Sequence, residues 1–289
     1  MSVTVIGDAF IDVIVPVHGT KLGETHHRKI ITQCGGTANV AVQIAKLGEK
    51  SKFVGKIGDD VFGKYFKQNL EINGVKDLTF VDRENPTGLC ISMVYDKGER
   101  TMVASRGAND HLKRDEVRSC IGEITDSKIV YFSGYSLLSR RNVESILFAI
   151  EECHKQNCKI YFNPGAPNLI KKHFKEIIHD FVDVLILNVE EAKTMTGKNK
   201  LEEFSKVLSG MVDTAVITMG KSGCIVPKGD RYMDVGTEKL NALDTTGAGD
   251  AFAAGFIVGK LKGRGDTDCA RLGNEVAAKF LREKMELMR

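Results

Sequence analysis

Seven consecutive residues, Asp244-Thr245-Thr246-Gly247-Ala248-Gly249-Asp250, combine two acids, two threonines and two glycines, and run straight into Ala251-Phe252-Ala253-Ala254-Gly255. A glycine-rich turn that opens directly into a helix leaves the first amides without intrahelical acceptors. The helix dipole adds partial positive charge at the same place, so the turn can hold an anion. Asp250 sits at the helix start, where a carboxylate reaches whatever the turn holds. Phosphate-cradling amides beside a proton-accepting carboxylate suggest phosphoryl transfer to a hydroxyl. The patterns GxxxxGK[ST] and GxGxxG are both absent from the chain, which argues against a Walker-type ATPase and a dinucleotide-binding fold.

Other clusters fit the same chemistry less specifically. Gly35-Gly36-Thr37-Ala38-Asn39 opens a helix. Its glycines allow backbone to approach a ligand, and Asn39 supplies the donor and acceptor that a polyol needs; a plain helix entry is the alternative. Gly7-Asp8 and Asp12 follow an apolar run, where carboxylates can accept hydroxyl protons or stand as solvated loop acids. Asn188 and Glu191 share a face if they begin a helix, which suits Mg²⁺ held through its water shell. It equally suits a helix cap, and the two readings are compatible. Thr218-Met219-Gly220-Lys221-Ser222-Gly223 is a polar turn that can line a nucleotide, though many turns share its composition.

These residues need a scaffold that brings them together. Apolar runs at 3–6, 52–54, 129–132, 159–162, 184–187 and 215–218 read as strands covered on both faces. Helical patterns at 38–47, 60–72, 142–153, 201–208 and 268–281 lie between them. The alternation predicts a three-layer α/β/α, doubly wound and mostly parallel sheet, with ligands beyond the carboxyl ends of the strands. Two segments break the rhythm: 12–33 is polar, and 87–105 alternates in strand fashion around a hairpin turn at 96–99. They predict a small β lid of 12–33 and 87–105 over a large domain of 1–11, 34–86 and 106–289. Such a sheet needs covering, by folding over the substrate or by pairing with a second copy.

Composition excludes more than it assigns. A net charge of +3 over 289 residues, with no long Lys/Arg run, gives no reason to expect nucleic acid or a membrane surface. Seven widely spaced cysteines without a CxxC pair read as free thiols, and with no leader or apolar span in view a cytoplasmic location is expected. Cys153, His154 and Cys158 lack four-ligand metal spacing.

In this order the pieces resemble the ribokinase-like (PfkB-type) family of sugar and nucleoside kinases, from Gly7 to about Asn274. Gly35–Asn39 is similar to that family's N-terminal diglycine signature, and Asp244–Asp250 to its C-terminal one. Asn188-x-x-Glu191 resembles its magnesium motif, and Thr218-x-Gly220-x-x-Gly223 its nucleotide-edge turn. The resemblance implies ATP as donor, Mg²⁺ as cofactor, a small-molecule sugar or nucleoside as acceptor, and a homodimer through the lid. It implies Asp250 as base, Gly247, Ala248 and Gly249 as anion hole, and Asp12, Gly35, Gly36 and Asn39 on the acceptor, with Asp8 nearby. Asn274 resembles a position near the adenine. Asn163-Pro164-Gly165-Ala166-Pro167 looks like the ribokinase branch's turn after a strand, and Gly98–Met102 with Arg106–Asn109 like the lid ending of carbohydrate members. Arg106 and Asn109 are then acceptor candidates, and an inward Arg106 would suit an anionic one. One departure stands out. Relatives carry a glycine-containing loop that helps bind a monovalent cation, whereas 280–285 reads here as continued helix, so potassium activation is left doubtful. The rival expectations are a nucleoside kinase on the same scaffold and a sensor that binds without catalysis.

Overall fold

The computed structural model describes residues 2–17, 30–95, 100–167, 173–242 and 244–288. The hairpin turn expected at 96–99 and the stretch 18–29 of the expected lid lie outside the described residues. Thirteen strands are described: β1 (Ser2–Ile6), β2 (Ala9–Val17), β3 (Ile31–Gly36), β4 (Lys50–Gly58), β5 (Val75–Asp82), β6 (Gly88–Tyr95), β7 (Arg100–Ser105), β8 (Ile129–Ser133), β9 (Lys159–Asn163), β10 (Val184–Asn188), β11 (Thr214–Thr218), β12 (Cys224–Lys228) and β13 (Arg231–Val235).

Nine of them form one sheet in the order β13-β12-β11-β10-β9-β8-β1-β4-β5, parallel from β11 to β5 and antiparallel beyond β11. Period-two alternation sorts its side chains into two cores. Val3, Val5, Tyr131, Ile186 and Val216 face one way, against helices Ala38–Lys46, Ala248–Leu261 and Asp266–Met288. Ile6, Val130, Phe132, Leu187 and Ile217 face the other, against helices Arg140–Lys155, Val189–Thr196 and Leu201–Leu208. The expected three layers are therefore present.

Helix Ala248–Leu261 is apolar all round because it lies inside a layer rather than on it, between helices Ala38–Lys46 and Asp266–Met288. Gly255 lets the last helix in: a Cβ there would lie 2.8 Å from the Leu272 carbonyl oxygen. That close approach carries Asp266–Met288 along the back of the turn that precedes Ala248.

β3-β2-β6-β7 form the separate small sheet, with β2 and β6 parallel and the outer pairs antiparallel. It begins at Ala9, so the expected boundary at 11/12 falls inside β2. Its base is stapled to the body. The Asn109 amide brackets Ala9, accepting from its N–H at 2.7 Å and donating to its carbonyl at 2.9 Å. Asp60 accepts from the Thr87 amide at 2.8 Å and hydroxyl at 2.7 Å.

Candidate active site

The turn at 244–250 meets the small sheet, where Arg100 of β7 donates to the Thr246 hydroxyl at 2.7 Å. Gly247 takes φ +85°, a left-handed conformation that glycine adopts without steric cost, and caps helix Ala248–Leu261. The Ala248 amide donates back to the Thr245 carbonyl at 3.1 Å and is spent within the turn. This corrects the expectation that its N–H serves an anion. The amides of Gly247, Gly249 and Asp250 have no acceptor among the described residues. A Cβ on Gly249 would meet nothing within 4 Å, so the turn is open at that residue.

Asp250 stands in the first turn of the same helix. Its one described hydrogen bond is a long one, accepted by Oδ2 from Asn39 Nδ2 at 3.4 Å. Burial pushes its pKa up to about 7; the Asn39 amide opposes the shift, and the charges of Asp12 and Glu191 add to it. No cation is paired with it among the described residues. At the other end of the turn Asp244 is fully enclosed. Its Oδ1 accepts from the Thr246 amide at 2.9 Å and hydroxyl at 2.6 Å, and its Oδ2 lies 2.7 Å from Lys284 Nζ.

Asp12 projects from β2 over Gly35, where any Cβ would collide with its carboxylate. Burial moves its pKa up to about 6, against the pull of Lys284 and with the push of Asp244. Asn39, Asp12 and Asp250 thus converge from three elements. Asp8 and Arg106 do not join them as free groups. Arg106 turns inward, but its Nη1 and Nη2 bind the two Asp8 oxygens at 2.8 and 3.0 Å, and its Nε binds Asp110 at 2.5 Å. Ser136 also donates to Asp8 at 3.2 Å. Asp8 is buried, which overturns its reading as a solvated acid, and burial raises its pKa despite Arg106. With one guanidinium already facing two carboxylates, an anionic acceptor loses the support an inward Arg106 would have given. Asn109 is likewise corrected: its amide is engaged by the Ala9 backbone.

On the sheet's other half, Asn188 and Glu191 form a reciprocal capping box. Asn188 Oδ1 accepts from the Glu191 amide at 2.9 Å, and Glu191 Oε2 from the Asn188 amide at 2.8 Å. Burial lifts the Glu191 pKa to about 7, opposed by the Asn188 amide and by Asn163. Both described hydrogen bonds of this carboxylate fall on Oε2. That suits a cation held through its hydration shell, and no group of three or more His, Cys, Asp or Glu able to hold a metal directly occurs among the described residues. Thr218 and Gly220 lie at the carboxyl end of β11, and a Cβ on Gly220 would meet nothing within 4 Å. Gly223 and Asn274 serve the frame instead. A Cβ on Gly223 would sit 2.2 Å from the Val235 carbonyl oxygen, and Asn274 donates to the carbonyls of Val235 and Gly236 at 3.0 and 3.1 Å. Asn274 therefore fixes the end of β13.

The family model for pfkB family carbohydrate kinases matches residues 1–285. The chain belongs to that family. PfkB kinases of this kind transfer phosphate to an alcohol hydroxyl, and the relatives agree: a Haemophilus influenzae ribokinase is 29% identical over 288 residues, covering 96% of this chain and 91% of its own. Among solved structures, a probable sugar kinase from Rhizobium etli superposes at TM-score 0.88 with 26% identity, covering 97% of this chain and 93% of that one. An adenosine kinase from Sinorhizobium meliloti superposes at 0.87 with 26% identity, over 96% and 92%. Sugar and nucleoside kinases thus share this pfkB scaffold.

Three residues around the turn were not expected as site residues. Tyr135, in the turn after β8, lays its ring over Gly165 and is 45% exposed between Asp8, Glu191 and Asp250. Arg100 reaches from the lid to the Thr246 hydroxyl at 2.7 Å. Lys284 comes from the last helix. Each lies far in sequence from the motif it touches, so local spacing could not reveal it.

Proposed function

We propose that this pfkB kinase transfers the γ-phosphoryl group of ATP to a hydroxyl of a small, uncharged sugar, with Asp250 as general base. The observation that carries the reading is a carboxylate with a pKa raised to about 7 and no cation partner among the described residues, beside three amides without a described acceptor. Asn39 and Asp12 hold the acceptor's hydroxyls. Asp250 takes the proton from the hydroxyl that attacks in line. The amides of Gly247, Gly249 and Asp250 then neutralise charge growing on the phosphoryl oxygens. Such a reaction depends mostly on positioning and electrostatics. The residues fit the expected cofactors: Thr218 and Gly220 would line the nucleotide, and Asn188 and Glu191 would hold Mg²⁺ through water. Bound there, Mg²⁺ supplies charge neutralisation for the phosphates.

A nucleoside acceptor is the second reading, favoured by the exposed Tyr135 ring, which offers a base a stacking surface. A spectrophotometric ADP-release assay with Mg·ATP and a panel of sugars and nucleosides separates the readings. Turnover with a neutral sugar supports the first and with a nucleoside alone the second, while silence with every acceptor sinks both and leaves a sensor. The expected homodimer rests on the lid's outward Ile91, Met102 and Val103, which light scattering of the purified chain tests.

A further inference from the structure

Lys284 is a charge in a place where charges are expensive. Its side chain is 5% exposed, and the carboxylate it meets, Asp244, is 0% exposed. Taking an ammonium out of water costs several kcal/mol unless good partners replace the lost hydration. Two partners are in reach: Asp244 Oδ2 at 2.7 Å and the Thr246 carbonyl oxygen at 2.9 Å. Both belong to the turn that fronts Asp250. Phe280, one helical turn before Lys284, closes the space from behind. Its ring would lie 2.9 Å from a Cβ on Gly247, and its centroid is 6.0 Å from Nζ.

The contact to Thr246 has a geometric consequence. The carbonyl and the N–H of one trans peptide point in opposite directions. With the Thr246 carbonyl drawn back onto Lys284, the Gly247 N–H of the same peptide is turned forward, away from the lysine and toward the space before the turn. Asp244 finishes the clamp through Oδ1, which takes the Thr246 amide and hydroxyl. The ammonium therefore sets the direction of a donor it never touches.

We propose that Lys284 is a positioning residue for phosphoryl transfer: a tethered monovalent cation behind the anion-binding turn, which aligns the Gly247 amide and removes the need for a free monovalent cation. The inference rests on the turn's role proposed above. The last helix runs unbroken through 280–285 to Met288, and delivers the charge covalently.

The test compares wild type, Lys284→Met, and the double variant Lys284→Met/Asp244→Asn, which removes both charges and guards against a fold lost to an unpaired carboxylate. Each is assayed by ADP release with the best acceptor of the panel. Potassium, ammonium or methylammonium chloride is added, with tetramethylammonium chloride as the ionic-strength control. Wild type should not respond to potassium. Lys284→Met should lose about tenfold to a hundredfold in kcat with the KM for ATP nearly unchanged, the size expected when a transition-state donor is misaligned. Ammonium or potassium should restore much of that loss, which a merely structural role would not allow. The double variant should remain slow and, without its carboxylate, should not be rescued. Potassium activation of wild type, or an unaltered kcat in folded variants, overturns the inference. Asp250→Asn run alongside separates the two claims: if it is inactive while Lys284→Met keeps full kcat, only the lysine's role falls. If Asp250→Asn keeps its turnover, or wild type is silent with every acceptor, the turn's role falls and takes the lysine's with it.

Discussion

Two aspartates close the same seven-residue turn and have opposite surroundings. Asp244 has a lysine at 2.7 Å, two hydrogen bonds from Thr246 and no access to water. Burial alone would raise its pKa, but Lys284 and Thr246 outweigh burial and hold the carboxyl below its usual range. Among the described residues Asp250 has one long hydrogen bond from an amide and two other acids in its field, and burial carries it up to about 7. Six residues apart, one acid is held as an anion and the other has its pKa raised to about 7. Environment, not residue type, sets the two acids apart.

Breaking the rear pair should cost most. Asp244→Ala leaves Lys284 buried without its counter-charge, a change worth about 3–5 kcal/mol in such pairs. Urea unfolding should show the midpoint falling by the corresponding amount. A loss below about 1 kcal/mol, the level of an exposed pair, would mean that the rear acid is not structural. At the front, Asp250→Asn should fold and bind ATP but lose at least about a hundredfold in turnover, the contribution of a positioned base. Near wild-type turnover would remove Asp250 from the reaction.

The same contrast sets the pH dependence. A base must be unprotonated, so kcat/KM of wild type should fall about tenfold per unit below about pH 7, and Asp250→Asn should lose that limb. Stability runs the other way for this group. Its folded pKa lies above the unfolded value near 3.9, so its favourable contribution is complete below about pH 4 and is lost as pH rises to about 7. Asp244, with a depressed pKa, contributes above its unfolded value and loses that contribution as pH falls through its folded one. Asp250→Asn should therefore be more stable than wild type at pH 8 and no more stable at pH 4, as unfolding curves at the two values would report. Equal gains at both would mean that the carboxylate is not strained by burial.

What the sequence revealed follows how local each signal is. The turn at 244–250, the diglycine entry and the Asn188–Glu191 pair are short segments whose chemistry is complete within a few residues, and strands buried on both faces announce themselves as apolar runs. β5 was not expected because it is an edge strand: Lys76, Asp77 and Val81 face solvent, so its pattern reads as polar. β12 and β13 likewise hide in a short hairpin. The side chains whose bonds went unforeseen, Asp8, Arg106, Asn109 and Asn274, are polar groups with partners about 40 or more residues away, although Arg106 also binds Asp110 four residues on. From sequence, a polar side chain near a ligand cleft and one spent on a distant backbone look alike. Lys284 is the same problem reversed, a lysine in a charged helix that the close packing at Gly255 carries under the turn.

The smallest expected effect is the one that tests how far the front of the turn depends on the lid. Arg100 starts β7 and donates to the Thr246 hydroxyl at 2.7 Å, with Asp244 Oδ1 at 3.7 Å. Its side chain is 42% exposed, so the contact is screened and worth at most about 1 kcal/mol, about fivefold in an equilibrium. Spent on holding the lid over the cleft, that energy appears in the acceptor's KM and leaves kcat alone, because a closed lid without Arg100 still presents the same amides. Arg100→Ala should then raise the acceptor KM by up to about fivefold. A fall in kcat as deep as that of Asp250→Asn would mean that the lid aligns the turn itself. The division between a rigid rear acid and a reactive front one would then be a property of the closed lid, not of the body.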